Sequence, residues 1–141
     1  PDAKYASGMK QPVPYEMVLS KYREVIGGSE EFLSIIFKEK TGQLIGVIKG
    51  GLREDNNLLI NSLIIDNAVR KRGYGSRAVY LLTDYMKEEQ NIDTVIVTVM
   101  ESNYRGLKFW EKNGFVELRR MNKKYPLMKD GVKVVVMTKK I

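Results

Sequence analysis

The segment that constrains this chain most is Leu58 to Met86, where a strand-like composition gives way to helical spacing across the turn Arg70-Lys71-Arg72-Gly73-Tyr74-Gly75. Leu58 to Ile65 is rich in leucine and isoleucine, a composition that suits a strand. Beyond the turn, Ala78, Leu81, Leu82, Tyr85 and Met86 fall at i, i+3, i+4, i+7 and i+8, which predicts a helix with one buried face, ending over Lys87 to Asn91. Thr94 to Val99 is the next β-branched run. A strand, a helix and a second strand in that order predict a crossover that sets Thr94 to Val99 parallel to Leu58 to Ile65.

The flanking segments fill out a mixed sheet. Phe32 to Phe37 and Leu44 to Ile48 are bulky and apolar, with Lys40, Thr41, Gly42 and Gln43 between them, and read as a hairpin. The polar stretch Arg53 to Asn57 then leads into Leu58 to Ile65 as the third strand of an antiparallel meander. A second helix is predicted from Asn103 to a stop at Asn113-Gly114. Phe115 to Arg119 and Val132 to Thr138 read as the last strands, with a loop over Tyr125 to Gly131. Pro1 to Glu31 carries three of the four prolines and shows only a short helical pattern around Tyr15 to Val25, carried by Met17, Leu19 and Tyr22. The expected class is α/β (α+β): a mixed, mostly antiparallel central sheet flanked by helices. No repeat or linker divides the chain, so residues 1–141 are expected to form one domain, with the part up to about residue 31 short and incomplete.

Composition removes much chemistry. There is no cysteine and no histidine, hence no disulfide, no thiolate nucleophile or metal site, and none of the commonest general base. The 24 Lys and Arg against 17 Asp and Glu give a net charge of +7, a field that attracts nucleic acid, acidic membrane or a phosphorylated cofactor. The basic residues are scattered and not interleaved with aromatics, which ranks nucleic acid low. No apolar run approaches the ~20 residues needed to cross a bilayer and no signal peptide is visible, so a soluble cytoplasmic protein without a membrane partner is expected. The chain opens on Pro1 and not on Met, as a processed product or an excised piece would.

The glycine turn carries the most specific chemistry. Without side chains, Gly73 and Gly75 let phosphate oxygens approach the main chain, and amides at a helix start carry partial positive charge. Arg70, Lys71 and Arg72 add cations, so the turn favours a diphosphate. It is too short for the phosphate loop of nucleoside triphosphatases, and the dinucleotide pattern fails where Ala78 replaces its last glycine. The alternative is that both glycines only shape a tight strand-to-helix connection.

The string Arg70-Lys71-Arg72-Gly73-Tyr74-Gly75 resembles the R/Q-x-x-G-x-G/A signature of the GNAT superfamily of acyl-CoA-dependent N-acyltransferases. Asn103-Tyr104-Arg105-Gly106-Leu107-Lys108-Phe109-Trp110-Glu111-Lys112-Asn113-Gly114-Phe115 is similar to that family's N-x-x-A-x-x-[FL]-[YF]-x-K-x-G-F segment. The likeness runs from about Phe32 to Phe115 and leaves the first thirty or so residues unmatched. It implies a sheet that splays between Ile65 and Val99 to admit pantetheine, and acetyl-coenzyme A as co-substrate. It also implies main-chain contacts to pantetheine around Leu63 and Ile65, pyrophosphate contacts from Arg70, Lys71 and the amides of Arg72, Gly73, Tyr74, Gly75 and Ser76, and an arm contact from Asn103. Asn103 serves equally well as the cap of the second helix. Two departures stand out: Trp110 occupies the place of a tyrosine thought to protonate the thiolate, and Gly106 replaces an alanine, which is expected to loosen the helix.

With no histidine or cysteine, transfer by direct attack of a neutral amine on the thioester is the simple route. Asp66 and Glu101, at the ends of the third and fourth strands, are candidate proton acceptors, or else solvated loop carboxylates. Tyr104 is a substitute acid, and a main-chain amide after Ile65 is the expected oxyanion donor. No metal is required. The expected function is an N-acetyltransferase acting on a primary amine of a small molecule or protein, with a second copy of the chain as a further partner. A non-catalytic acyl-CoA sensor and a basic nucleic-acid-binding domain are the alternatives.

Overall fold

Phe32, Ser34 and Ile36 are buried while Leu33 and Ile35 between them are exposed, the period-two pattern of a strand with one face on a core. The same alternation buries Val95, Val97 and Val99, and Ala78, Leu81, Leu82 and Met86 meet these strands from a helix. The computed structural model describes residues 17–26, 29–38, 41–125 and 128–141. In chain order its elements are β1 (Met17–Ile26), β2 (Ser29–Lys38), β3 (Leu44–Arg53), β4 (Asn57–Ile65), α1 (Tyr74–Gln90), β5 (Thr94–Met100), α2 (Tyr104–Lys112), β6 (Val116–Tyr125) and β7 (Met128–Lys140). They form one seven-stranded sheet in the order β1-β2-β3-β4-β5-β7-β6. Every neighbouring pair is antiparallel except β4 and β5, the parallel pair that the strand-helix-strand order predicts.

Two expectations are corrected. The helix expected over Tyr15 to Val25 is strand β1 from Met17 onward, paired with β2 along its whole length from Met17↔Lys38 to Ile26↔Ser29; Tyr15 lies outside the described residues. Val18, Tyr22, Val25 and Ile26 suit a strand, and a continuous ladder outweighs a weak local helical spacing. The loop expected over Tyr125 to Gly131 is largely strand, since β6 runs to Tyr125 and β7 begins at Met128, with Tyr125 opposite Met128. Among the described residues no helix is long and apolar enough to cross a membrane.

The feature that positions the site is a break in the sheet. Along β3 and β4 the register passes from Lys49↔Ser62 to Gly50↔Ile60, which leaves Asn61 as an extra residue on β4. Such a bulge bends and twists its strand. The parallel ladder stops at the same point: β4 pairs with β5 only from Asn57↔Thr94 to Ile60↔Val97. Past the bulge the two strands diverge.

One helix residue is held at a cost. Oδ2 of the half-buried Asp84 on α1 is shut off from solvent and, among the described residues, has no hydrogen-bond partner. Desolvation, with repulsion from Glu88 added, holds its carboxyl above the usual aspartate range, against a smaller opposing pull from Lys87. As pH rises, the unfolded chain gives up this proton first, so the stability present below the ordinary aspartate range is lost as pH climbs through the raised value. Asp84→Asn is therefore expected to raise the urea midpoint at neutral pH and to leave it unchanged in acid, where both side chains are uncharged.

Candidate functional site

The divergence of β4 and β5 opens a cleft of about 700 Å³. Ile60 to Leu63 and Ile65 form one wall, Val97 to Met100 the other, the turn between β4 and α1 closes one end, and α2 lies along the side. The turn is built stepwise. Asp66 accepts a hydrogen bond at Oδ1 from the Ala68 amide at 3.1 Å and caps a single 3-10 turn, Asn67–Val69. Arg70 reaches back to donate from Nε to the Ile65 carbonyl at 3.1 Å, committing one of its five N–H donors to the end of β4. Lys71 and Gly73 then take left-handed backbone at φ 64° and 83°, and Gly73 is the N-cap of α1. The first intrahelical bond runs from the Arg77 amide to the Gly73 carbonyl at 3.1 Å. Gly75 and Ser76 thus sit in the first helical turn, where amides have no intrahelical acceptor and the helix dipole is positive.

Gly75 has a second role: a Cβ placed on it would lie 3.0 Å from Cε1 of Phe109, so its lack of a side chain lets α2 press against the start of α1. Arg105, Phe109 and Lys112 recur at i, i+4 and i+7 and turn one face of α2 to the cleft. Arg70, Lys71, Arg105 and Lys112 line it together, and among the described residues no carboxylate does. Trp110 is 7% exposed and meets Phe109 and Phe115 edge-on, with ring centroids 5.0 Å apart in each pair, so it belongs to both the core and the cleft wall.

Of the residues singled out from the sequence, Leu63, Ile65, Arg70, Lys71, Gly73, Tyr74, Gly75, Ser76 and Asn103 line this cleft, and Arg72 is exposed outside its lining. Asn103 accepts at Oδ1 from the Gly106 amide at 3.0 Å and caps α2. Gly106 serves that cap, because a Cβ there would come within 2.9 Å of the Asn103 Cγ and 3.1 Å of Val99 Cγ1. Whatever its effect on helix propensity, the glycine makes room for the cap. Asn103→Ala is expected to lower stability by about 1 kcal/mol, the usual worth of such a cap, measured by chemical denaturation.

Asp66, Glu101 and Tyr104 each follow a cleft-lining residue without lining the cleft themselves. Asp66 is occupied with its cap, Glu101 lies 3.5 Å from Arg120, and Tyr104 is 74% exposed. The amide after Ile65 expected as oxyanion donor is already committed, since Asp66 N donates to the Ile45 carbonyl at 2.8 Å. Among the described residues no group of three His, Cys, Asp or Glu is placed to hold a metal. Lining residues the sequence reading missed include Asn61, Thr98, Arg105 and Lys112. For the last two, helical spacing shows only that they share a face with Phe109; that this face meets the cleft follows from the packing of α2 on Gly75.

A model of the acetyltransferase (GNAT) family matches residues 6–115. The chain belongs to the GNAT family. The match extends well upstream of Phe32, where the motif likeness began, and so takes in β1. N-alpha-acetyltransferase 30 of Dictyostelium discoideum is 27% identical over 99 residues, covering 67% of this chain and 52% of the relative. A Bacillus anthracis protein assigned as a streptothricin acetyltransferase, solved with acetyl coenzyme A, superposes with a TM-score of 0.69 at 22% identity over 79% of this chain and 62% of its own. Spermidine N-acetyltransferase of Vibrio cholerae, solved with CoA and spermine, gives 0.68 at 17% identity over 78% of this chain and 65% of its own. The chain thus spans about half of the Dictyostelium discoideum relative and a little under two thirds of each of the two solved structures. At these identities the superpositions establish the shared GNAT fold.

Proposed function

We propose that this GNAT chain binds acetyl-coenzyme A in the cleft between β4 and β5 and transfers the acetyl group to a primary amine by direct attack. The observation that carries this reading is the pairing of two surfaces in one cleft. At one end stand Gly73, the first-turn amides of α1, Arg70 and Lys71, with Arg105 and Lys112 along the side from α2 and, among the described residues, no lining carboxylate, which suits a polyanionic carrier; between the splayed strands lie Leu63, Ile65, Val97 and Val99, an apolar slot for its arm. The amine nitrogen attacks the thioester carbonyl, the C–S bond breaks, and coenzyme A leaves as a thiolate that takes up a proton. The amine proton passes to water at the mouth of the cleft, with Asp66 and Glu101 as the nearby carboxylates and Tyr104 as the nearby phenol. Asn103 holds α2 in place beside the carrier's arm. The names of similar proteins span streptothricin, spermidine and a ribosomal-protein alanine as acceptors, so the acceptor class is drawn at amines of small molecules or proteins.

Release of coenzyme A thiol is a clean assay here, because the chain has no cysteine of its own to react with a thiol reagent. Incubation with acetyl-CoA and a panel of spermidine, streptothricin and short peptides with free N-termini is expected to release thiol in step with N-acetyl product. Binding of acetyl-CoA without release from any amine would move the assignment to a second reading, a non-catalytic acyl-CoA module. That reading rests on Trp110, an indole at the place where the family resemblance implies a tyrosine. Absence of acetyl-CoA binding would remove both.

A further inference from the structure

We infer that Asn113 is a positioning residue whose side-chain amide fixes the Ser76 hydroxyl as a donor into the phosphate end of the cleft; this rests on the acetyl-CoA reading above. Asn113 ends α2, and its backbone is pinned from two directions. Its amide donates to the Phe109 and Trp110 carbonyls at 3.2 and 3.1 Å, and its own carbonyl accepts from Lys139 Nζ of β7 at 2.9 Å. Its side chain bridges the two helices, donating from Nδ2 to the Phe109 carbonyl at 2.8 Å and to Ser76 Oγ at 3.2 Å. Because a main-chain carbonyl can only accept, the Phe109 contact settles which end of the amide carries hydrogen. Both Nδ2 hydrogens are then used, one on Phe109 and one on Ser76.

The consequence falls on the serine. Its oxygen already receives a hydrogen bond, so its own hydrogen must point elsewhere, and among the described residues it donates to nothing. Ser76 lines the cleft beside Gly73 and Gly75, at the end where a diphosphate would sit. Without Asn113 the hydroxyl is free to rotate and bond back to a carbonyl of the preceding turn, a common habit of serine near helices. Asn113 thereby converts an adaptable rotor into an aimed donor, and Lys139 carries that arrangement back to the sheet.

A double-mutant cycle tests this by calorimetry with acetyl-CoA, and by competition with acetyl-pantetheine, the same thioester arm without phosphates. Ser76→Ala is expected to weaken acetyl-CoA roughly tenfold, the loss of one hydrogen bond to a charged group. Asn113→Ala is expected to cost roughly three- to tenfold alone, nothing further in the Ser76→Ala background, and nothing toward acetyl-pantetheine in either. Ser76→Thr, which keeps the hydroxyl, should retain the Asn113 dependence. Asn113 has φ −90° and ψ 13°, which alanine accepts; if Asn113→Ala nonetheless fails to fold, Asn113→Gly, well tolerated at a helix end, takes its place. Equal losses with and without Ser76, equal losses for acetyl-pantetheine, or unchanged affinity would each overturn the inference while the wild-type chain still binds acetyl-CoA. Failure of the wild-type chain to bind at all would instead bring down the functional reading on which it rests.

Discussion

Gly73→Val is expected to weaken acetyl-CoA by more than about a hundredfold, the equivalent of some 2.7 kcal/mol. Gly73 sits at φ 83°, where a β-branched side chain is a steric outlier that costs about 1–3 kcal/mol. The chain can escape that strain only by refolding the turn, which moves the amides of Gly75 and Ser76 away from the ligand. If it stays in place, the valine stands at the N-cap of α1, where phosphate oxygens must approach. Either response harms binding. Gly75→Val reaches the same end differently, because its Cβ would lie 3.0 Å from Phe109 and drive α2 away from α1. Calorimetry checks both variants, with circular dichroism to show that the sheet remains. A folded Gly73→Val protein with unchanged affinity would mean that the two glycines only shape a connection.

Trp110→Ala carries the largest expected effect on stability. The indole is nearly buried, meets Phe109 and Phe115 edge-on, and forms part of the cleft wall. Its removal leaves a cavity between α2 and the start of β6, and such truncations cost about 3–5 kcal/mol. A urea titration is expected to show that loss. A cost below about 1 kcal/mol, the size of an ordinary surface change, would contradict the placement of Trp110 in the core. Because Phe109 in turn supports Gly75, the variant should also weaken acetyl-CoA, and that second effect separates it from Leu82→Ala, a core change that does not line the cleft.

The parts of the fold legible in the sequence were those whose apolar residues face a core from one side. The crossover from β4 through α1 to β5 was readable because helical spacing follows a β-branched run and precedes another, and chain connectivity allows little else. β1 was not, since Met17, Leu19 and Tyr22 mimic a helix and only the ladder to β2 decides their state. The far end of β6 was hidden for a different reason: β6 is an edge strand, and Arg119 to Lys124 are mostly polar, so no apolar period marks it.

The site divides along similar lines. The glycine turn was legible because few residue types tolerate its backbone or allow a ligand so close. The bulge at Asn61 was not, as an extra residue inside a strand leaves no mark in composition; the splay it causes was expected only through family resemblance. Arg105 and Lys112 join the cleft only because α2 packs against α1 through Gly75, a long-range contact that spacing along α2 cannot reveal. The same holds for the Asp66 amide, whose bond to Ile45 depends on how β3 lies beside β4.

The most direct test is an NMR titration of the 15N-labelled chain with acetyl-CoA, following the backbone amides of the turn. Saturable shifts at Gly73, Gly75 and Ser76, accompanied by Leu63 and Val99 on the two strand walls and absent when acetyl-pantetheine replaces acetyl-CoA at the turn, are the expected result. Saturable binding that leaves the Gly73, Gly75 and Ser76 amides unmoved, or no binding at all, would contradict it.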